Sequence, residues 1–267
     1  MSAVPGSLAT PYNERALKRG ATSVTHPLAR ALLVLTFTTG LIDAVSYLAL
    51  GHVFAANMTG NIVLLGFGIA GGYGLPVVAP IISLAAFLVG AGAGGVLVRR
   101  MGERHPRLAG HALAAEVFLI ALAAVVAAAT TVHPGDGSAY TLIALMALAM
   151  GVRNAVARHT AVPDLTTTVL TLTLTGLAAE SPLAGGSGKG SVRRISAVLM
   201  MLLGGLCGAL LLKIHLFAPL ALAAVLALIT CLVYVPIATR IGSETEDRRE
   251  VPGQGPDGRP HTLDHAG

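Results

Sequence analysis

Eight apolar runs, most of them long enough to cross a bilayer, constrain this chain more than any motif does. They cover residues 31–50, 53–72, 77–98, 111–132, 140–156, 165–179, 195–212 and 216–237. About 20 apolar residues span the hydrocarbon core. Backbone in lipid must satisfy its own hydrogen bonds, so such runs read as helices. The fold class is therefore an all-α integral membrane protein, and its first partner is the lipid bilayer. Composition agrees: 12% of residues are charged, against about 25% in soluble domains. The runs leave no room for a separate soluble domain in 267 residues. A net charge of +5 would suit a nucleic-acid binder in a soluble chain. Here Lys and Arg lie between apolar runs, where they set topology, so no nucleic-acid partner is expected. Cys207 and Cys231 sit inside apolar runs and read as buried thiols rather than a disulfide framework.

Three regions follow. Residues 1–30 form a flexible basic tail carrying Arg15, Lys18, Arg19 and Arg30. Residues 31–240 form a single transmembrane domain. Residues 241–267, rich in charge, Gly and Pro, read as a disordered tail. The first run is too long for a signal-peptide core and ends without a small-x-small cleavage site.

Charge decides how many runs cross. With the N-terminal tail inside, eight crossings would put Arg99, Arg100, Arg104 and Arg107 outside in one short loop, against the positive-inside rule. Suppose instead that 52–74 enters the membrane and returns to the same side. Those arginines then fall inside, the loop 133–138 without Lys or Arg falls outside, and Arg153 and Arg158 end inside. The stretch 160–180 must then also be re-entrant, because Lys189, Arg193 and Arg194 follow it. Six crossings, two re-entrant or broken helical segments and two cytoplasmic termini are the preferred arrangement. The length of 52–74, sufficient to cross, argues the other way.

Both broken segments carry polar groups. Residues 40–61 include Asp43, Ser46, Asn57, Thr59 and Asn61. In the second segment, Pro163 and Asp164 mark a break or helix start ahead of Thr166, Thr167 and Thr168. Thr171, Thr173 and Thr175 then alternate as in an extended strand. Irregular backbone at membrane depth is tolerated only inside protein or along a cavity.

A repeat joins the two. Gly40-x-x-Asp43-Ala44 returns as Gly151-x-x-Asn154-Ala155. Each copy precedes a Thr/Asn-rich break, and each break precedes a helix with spaced glycines, Gly90/Gly94 and Gly204/Gly208. Halves 31–132 and 139–238, with three crossings each, would be inverted relative to one another, an arrangement common in transporters. The glycine pairs suit packing within the chain or a homodimer equally.

The segments Gly40-Leu-Ile-Asp43-Ala44, Asn57-Met-Thr59-Gly-Asn61 with Leu65-Gly66, Gly151-Val-Arg153-Asn154-Ala155 and the closing Thr175-Gly176 resemble the YoaK family of bacterial multi-pass membrane proteins, known as domain of unknown function 1275. The resemblance covers roughly residues 30–240. It implies about six membrane helices in a bacterial plasma membrane and no established activity.

Each candidate residue has two readings. Asp43 is either an ion, proton or solute contact, or a structural group pairing with Arg153 or locking helices. Arg153 neutralises Asp43, holds an anionic solute, or anchors its helix at the cytoplasmic surface. Asn57, Thr59 and Asn61 present polar atoms to a permeant species or cap a half-helix, roles that are compatible. Thr166, Thr167 and Thr168 offer the same choice, with Asp164 as N-cap, and Asn154 stands where the repeat places a second polar group. Glu116 reads as complementing a helix dipole, and Glu180 as solvated. His52, His111 and His215 have no partner at metal-ligand spacing.

No Gly-x-Ser-x-Gly, His-Glu-x-x-His, Cys-x-x-Cys or phosphate-loop context is found, so neither an enzyme nor a cofactor is expected. The leading expectation is a small secondary transporter or permease for a small polar or anionic solute, bound where the broken segments converge. The alternatives are a channel and a non-transport assembly or stress-response protein.

Overall fold

The computed structural model describes residues 27–71, 74–102, 108–159, 170–188 and 190–250. Among them every regular element is helical: α1 (Pro27–Ala49), α2 (Met58–Ile69), α3 (Val78–Met101), α4 (Leu108–Ala129), α5 (Gly137–His159), α6 (Leu170–Ala179), α7 (Ser191–Leu212) and α8 (Phe217–Glu250), with one 3-10 turn at Pro182–Ala184. Helices α1, α3, α4, α5 and α7 are long and apolar enough to cross a membrane. Helix α8 carries an apolar stretch over Phe217–Val233. Helices α2 and α6 have only 12 and 10 residues. At 1.5 Å per residue they reach about 18 and 15 Å, half the depth of the hydrocarbon core.

Three features differ from the sequence expectation. Leu170–Ala179 is α-helical, so the alternation of Thr171, Thr173 and Thr175 does not mark an extended segment. Thr175 Oγ1 donates to the Thr171 carbonyl at 2.9 Å, as a helical Thr does. Thr173 is buried, while Thr171 and Thr175 are exposed. With no neighbouring strand to pair with, the backbone bonds to itself, and this outweighs the β preference of Thr. Helix α8 runs on to Glu250, ten residues into the expected tail. The Glu and Arg of 241–250 are good helix formers, and no proline lies between Pro236 and Pro252. Cys207 and Cys231 are free thiols that are only half-buried.

The core lies where α1, α4, α5 and α8 meet, around Leu41, Ile42, Ile120, Met146, Met150 and Leu220. Helix α7 flanks α1, and α3 flanks α5. The short helices sit outside these, α2 on α3 and α6 on α7.

Glycine sets the two flanking contacts. A Cβ on Gly40 would sit 2.7 Å from the Gly205 nitrogen, and one on Gly208 would sit 2.7 Å from Ala44 Cβ. Across the other seam, a Cβ on Gly90 would overlap the Leu148 carbonyl, and one on Gly94 would sit 2.8 Å from Ala155 Cβ. Residue numbers rise together along both seams, so α1 runs parallel to α7 and α3 parallel to α5. The pairs Gly90/Gly94 and Gly204/Gly208 are thus taken up inside the chain, and a homodimer would have to use other faces.

One end of the bundle is identified by Gly51. A side chain there would begin 3.9 Å from both Pro76 and Pro134. The end of α1 and the starts of α3 and α5 therefore lie together. At the opposite end, Arg153 late in α5 donates to the Leu35 carbonyl early in α1 at 3.0 Å. Helices α1 and α5 are accordingly antiparallel.

Gly90→Ala should lower stability by about 2 kcal/mol, because the added methyl meets backbone that cannot yield. Gly92 faces open space, so Gly92→Ala should be neutral or stabilising by up to about 1 kcal/mol through helix propensity. Thermal unfolding of the two variants in detergent checks this; equal losses would contradict the seam.

Candidate functional site

The site is built around the break between α1 and α2. Gly51 and His52 both take positive φ, 113° and 56°, and turn the chain out of α1. Glycine adopts this region freely, and His more readily than β-branched residues do. Residues 53–57 are not helical. Their peptide groups need partners away from water, and side chains from three helices provide them. Asp43 Oδ1 accepts from the amides of Ala55 at 3.2 Å and Ala56 at 3.1 Å. Asn61 closes on residue 54 from both sides. Its Oδ1 accepts from the Phe54 amide at 2.8 Å, and its Nδ2 donates to the Phe54 carbonyl at 2.7 Å and to Ser83 Oγ at 3.0 Å. Ser83 Oγ donates to the same carbonyl at 2.7 Å. Asn57 then caps α2, its Oδ1 accepting from the Gly60 amide at 3.1 Å.

A cavity of about 420 Å³ opens beside this break, lined among others by Asp43, Tyr47, Phe54, Asn57, Thr171 and Gly205. A second, of about 550 Å³, shares Tyr47, Phe54, Asn57 and Thr171 and adds Thr59. The starts of α2 and α6 therefore converge against α1 and α7. Tyr47 and Phe54 stack with centroids 4.9 Å apart, and His52 meets the Tyr47 ring edge-on at 5.1 Å. Only 8% of Asp43 is exposed. Among the described residues nothing donates to its Oδ2, and the residue lines the cavity. A carboxylate, an amide, hydroxyls and aromatic rings around such a volume can hold a small solute.

The expected site residues separate into groups. Asp43, Asn57 and Thr59 line the two cavities. Asn61 is wholly buried and spends its amide on the turn, so it does not present that group to a solute. Thr166, Thr167 and Thr168, with Asp164, lie outside the described residues. Asn154 is half-buried, and its Nδ2 has no hydrogen-bond partner among the described residues. Tyr47, Phe54 and Gly205 were not singled out in the sequence as site residues. Their apolar or small side chains give no signal until the helices are placed.

Arg153 has a different partner from those expected. Its Nε donates to Glu116 Oε2 at 2.7 Å, and its Nη2 donates to Glu116 Oε1. Thr38 and Thr39 hydroxyls accept at 3.0 and 2.7 Å, and the Leu35 carbonyl takes a further N–H. Glu116 is completely buried, two turns into α4. It is the counter-ion of Arg153 rather than a complement to a helix dipole. An acid in one apolar run and a base in another carried this signal in the sequence. Glu180, expected to be solvated, lies 2.8 Å from Arg194 although 57% of its side chain is exposed.

Breaking the buried pair should be costly. Arg153→Met leaves Glu116 uncompensated and should lose about 3–5 kcal/mol, whereas Glu116→Leu with Arg153→Met should regain most of it. A double-mutant cycle on thermal unfolding measures this, and additive losses would show that the two do not act as a pair.

No solved structure matches this chain. The chain is 35% identical over 147 residues to the UPF0700 transmembrane protein YoaK of Bacillus subtilis (strain 168), across 55% of this chain and 64% of that protein. It therefore spans just under two thirds of that relative's length. With its apolar helices, this makes it a multi-pass membrane protein. The family model described as "Protein of unknown function (DUF1275)" matches residues 31–233, from α1 into α8, and the chain belongs to that family.

Proposed function

We propose that the chain is a small secondary transporter, a permease of the bacterial plasma membrane for a small polar solute, with no enzymatic role. The observation that carries this reading is the cavity where α2 and α6 begin, with the intramembrane carboxylate Asp43 in its wall. Ionisable groups at membrane depth are kept where a solute or ion passes. An anionic solute has lost its support, because Arg153 is already matched by Glu116.

The helix directions support an inverted 3+3 repeat. The first helices of the halves, α1 and α5, are antiparallel, and each packs in parallel on the glycine helix of the other half. The proximity of Gly51 to Pro76 supports a re-entrant path for 52–74. Combined with the positive-inside distribution of Lys and Arg, this reading has six crossings with cytoplasmic termini and a binding site between broken helices, as in many transporters. A second reading is favoured by the two amides on Asp43 Oδ1: the carboxylate could be purely structural, in a membrane protein that carries nothing.

Two measurements test the proposal. In a background with Cys207 and Cys231 changed to Ala, single cysteines at Ala70, Arg100 and Ser138 are labelled in intact cells with an impermeant reagent. Ala70 and Ser138 should label and Arg100 should not; the reverse pattern would mean that residues 52–74 cross. Proteoliposomes loaded with a defined mixture of polar solutes are then followed by mass spectrometry. The protein should release one class of solute, and Gly205→Leu, which fills the cavity from a position facing open space, should stop release while keeping the unfolding temperature. Release no faster than from empty liposomes would favour the structural reading.

A further inference from the structure

We infer that the cavity takes a small organic ammonium cation. This rests on the reading of the cavity as a solute site and names the solute's class.

Charge balance is the first argument. The described buried charges are Asp43, Glu116 and Arg153 on α1, α4 and α5, and Arg193 and Arg194 early in α7, and none of these arginines lines either cavity. Glu116 and Arg153 cancel at hydrogen-bond distance, and all three nitrogens of the guanidinium are occupied by Glu116, Thr38, Thr39 and the Leu35 carbonyl. Among the described lining residues one carboxylate remains, that of Asp43, with no cationic side chain beside it in the cavity wall. A buried carboxylate without a counter-charge is costly. The two amides on Oδ1 and the nearby start of α2 supply partial positive charge only. An anion placed there would face that carboxylate with no full positive charge among the described lining residues. Position 154, which matches Asp43 in the second half, carries a neutral Asn, so the repeat adds no second acid at that position. Among the described lining residues the deficit corresponds to a single positive charge.

The walls narrow the class further. Volumes of about 420 and 550 Å³ fall in the range of small-molecule sites. Among the described residues no group of three His, Cys, Asp or Glu could hold a metal ion. The lining pairs one carboxylate with the Tyr47 and Phe54 rings, whose faces attract cations. Asp43 Oδ2 would take an ammonium N–H, Asn57 and Thr171 would meet remaining donors, and the rings would meet the carbon-bound part of the charge.

The test is equilibrium binding to the purified full-length protein, read as saturable thermal stabilisation at constant ionic strength. The probes are n-butylammonium, tetramethylammonium, butyramide, butyrate and sodium chloride. One or both ammonium probes should stabilise the protein saturably, and the other three should not. A preference for n-butylammonium would locate the contact at Asp43 Oδ2, and one for tetramethylammonium at the aromatic rings. Asp43→Asn keeps an oxygen for the two amides and should weaken ammonium binding by about tenfold or more. Gly205→Leu should abolish it without touching the carboxylate. The inference is overturned if butyramide or butyrate binds as well as n-butylammonium, if no ammonium probe binds, or if both variants leave the affinity unchanged. Ammonium that binds but is not released from proteoliposomes would sink the permease reading and leave the ligand class standing. Release of a neutral or anionic solute that Gly205→Leu stops would do the opposite.

Discussion

An unpaired peptide group in hydrocarbon costs several kcal/mol, and the turn between α1 and α2 exposes a series of them. Three buried polar side chains of the first half are arranged around that cost. Asp43, Asn61 and Ser83 come from α1, α2 and α3, and all three spend hydrogen bonds on residues 54–56. Removing the break would remove the need for these groups. Keeping it places the start of the short helix α2 beside the two cavities. The cavity is thus a by-product of satisfying the backbone, and its only carboxylate among the described lining residues is one of the groups that satisfy it.

The glycine seams set how closely the flanking helices approach. Helix α7 approaches α1 until backbone meets backbone at Gly40 and Gly204, and α3 does the same to α5 at Gly90 and Gly151. Without side chains between them, the helices of each pair meet backbone to backbone, in the close van der Waals packing that holds helices together in lipid. Each pair joins one helix from each half of the chain. Gly205 lies one residue beyond the tight contact, and its missing side chain leaves room for the cavity rather than for a helix. The same residue type therefore does two opposite jobs within one turn of α7.

Much of this was legible from residue types and spacing. The apolar runs located the helices, and the spaced glycines Gly90/Gly94 and Gly204/Gly208 pointed to close helix packing; the Gly-x-x-[Asp/Asn]-Ala pattern reads as a repeat, and only the structure shows that Gly40 and Gly151 face those glycines. Asp43 and Asn57 were found because polar atoms are expensive in an apolar run. The alternating threonines misled because periodicity within so short a segment cannot separate a strand from a helix that has no partner strand. The Glu116–Arg153 pair was missed for another reason. The two residues are 37 positions apart, and each had an adequate local explanation at its helix end. Only the antiparallel packing of α4 on α5 brings them together. Tyr47, Phe54 and Gly205 carry no intrinsic signal, since aromatic and small residues are ordinary in membrane helices.

Asp43 need not be either structural or functional, because its two oxygens are in different surroundings. Oδ1 is committed to the amides of Ala55 and Ala56, which fixes the carboxylate plane without help from a solute. Binding a solute at Oδ2 then requires little side-chain ordering, a cost that a free carboxylate would bear in full. The arrangement also ties occupancy to backbone geometry. Any movement of residues 55 and 56 moves the carboxylate, and those residues lead directly into the cap of α2 at Asn57. A solute that pulls on Oδ2 therefore pulls, through one rigid group, on the start of a half-helix. On the proposed transport reading, such coupling between a ligand and the position of a broken helix would supply what alternating access needs, with no residue beyond those already holding the break together.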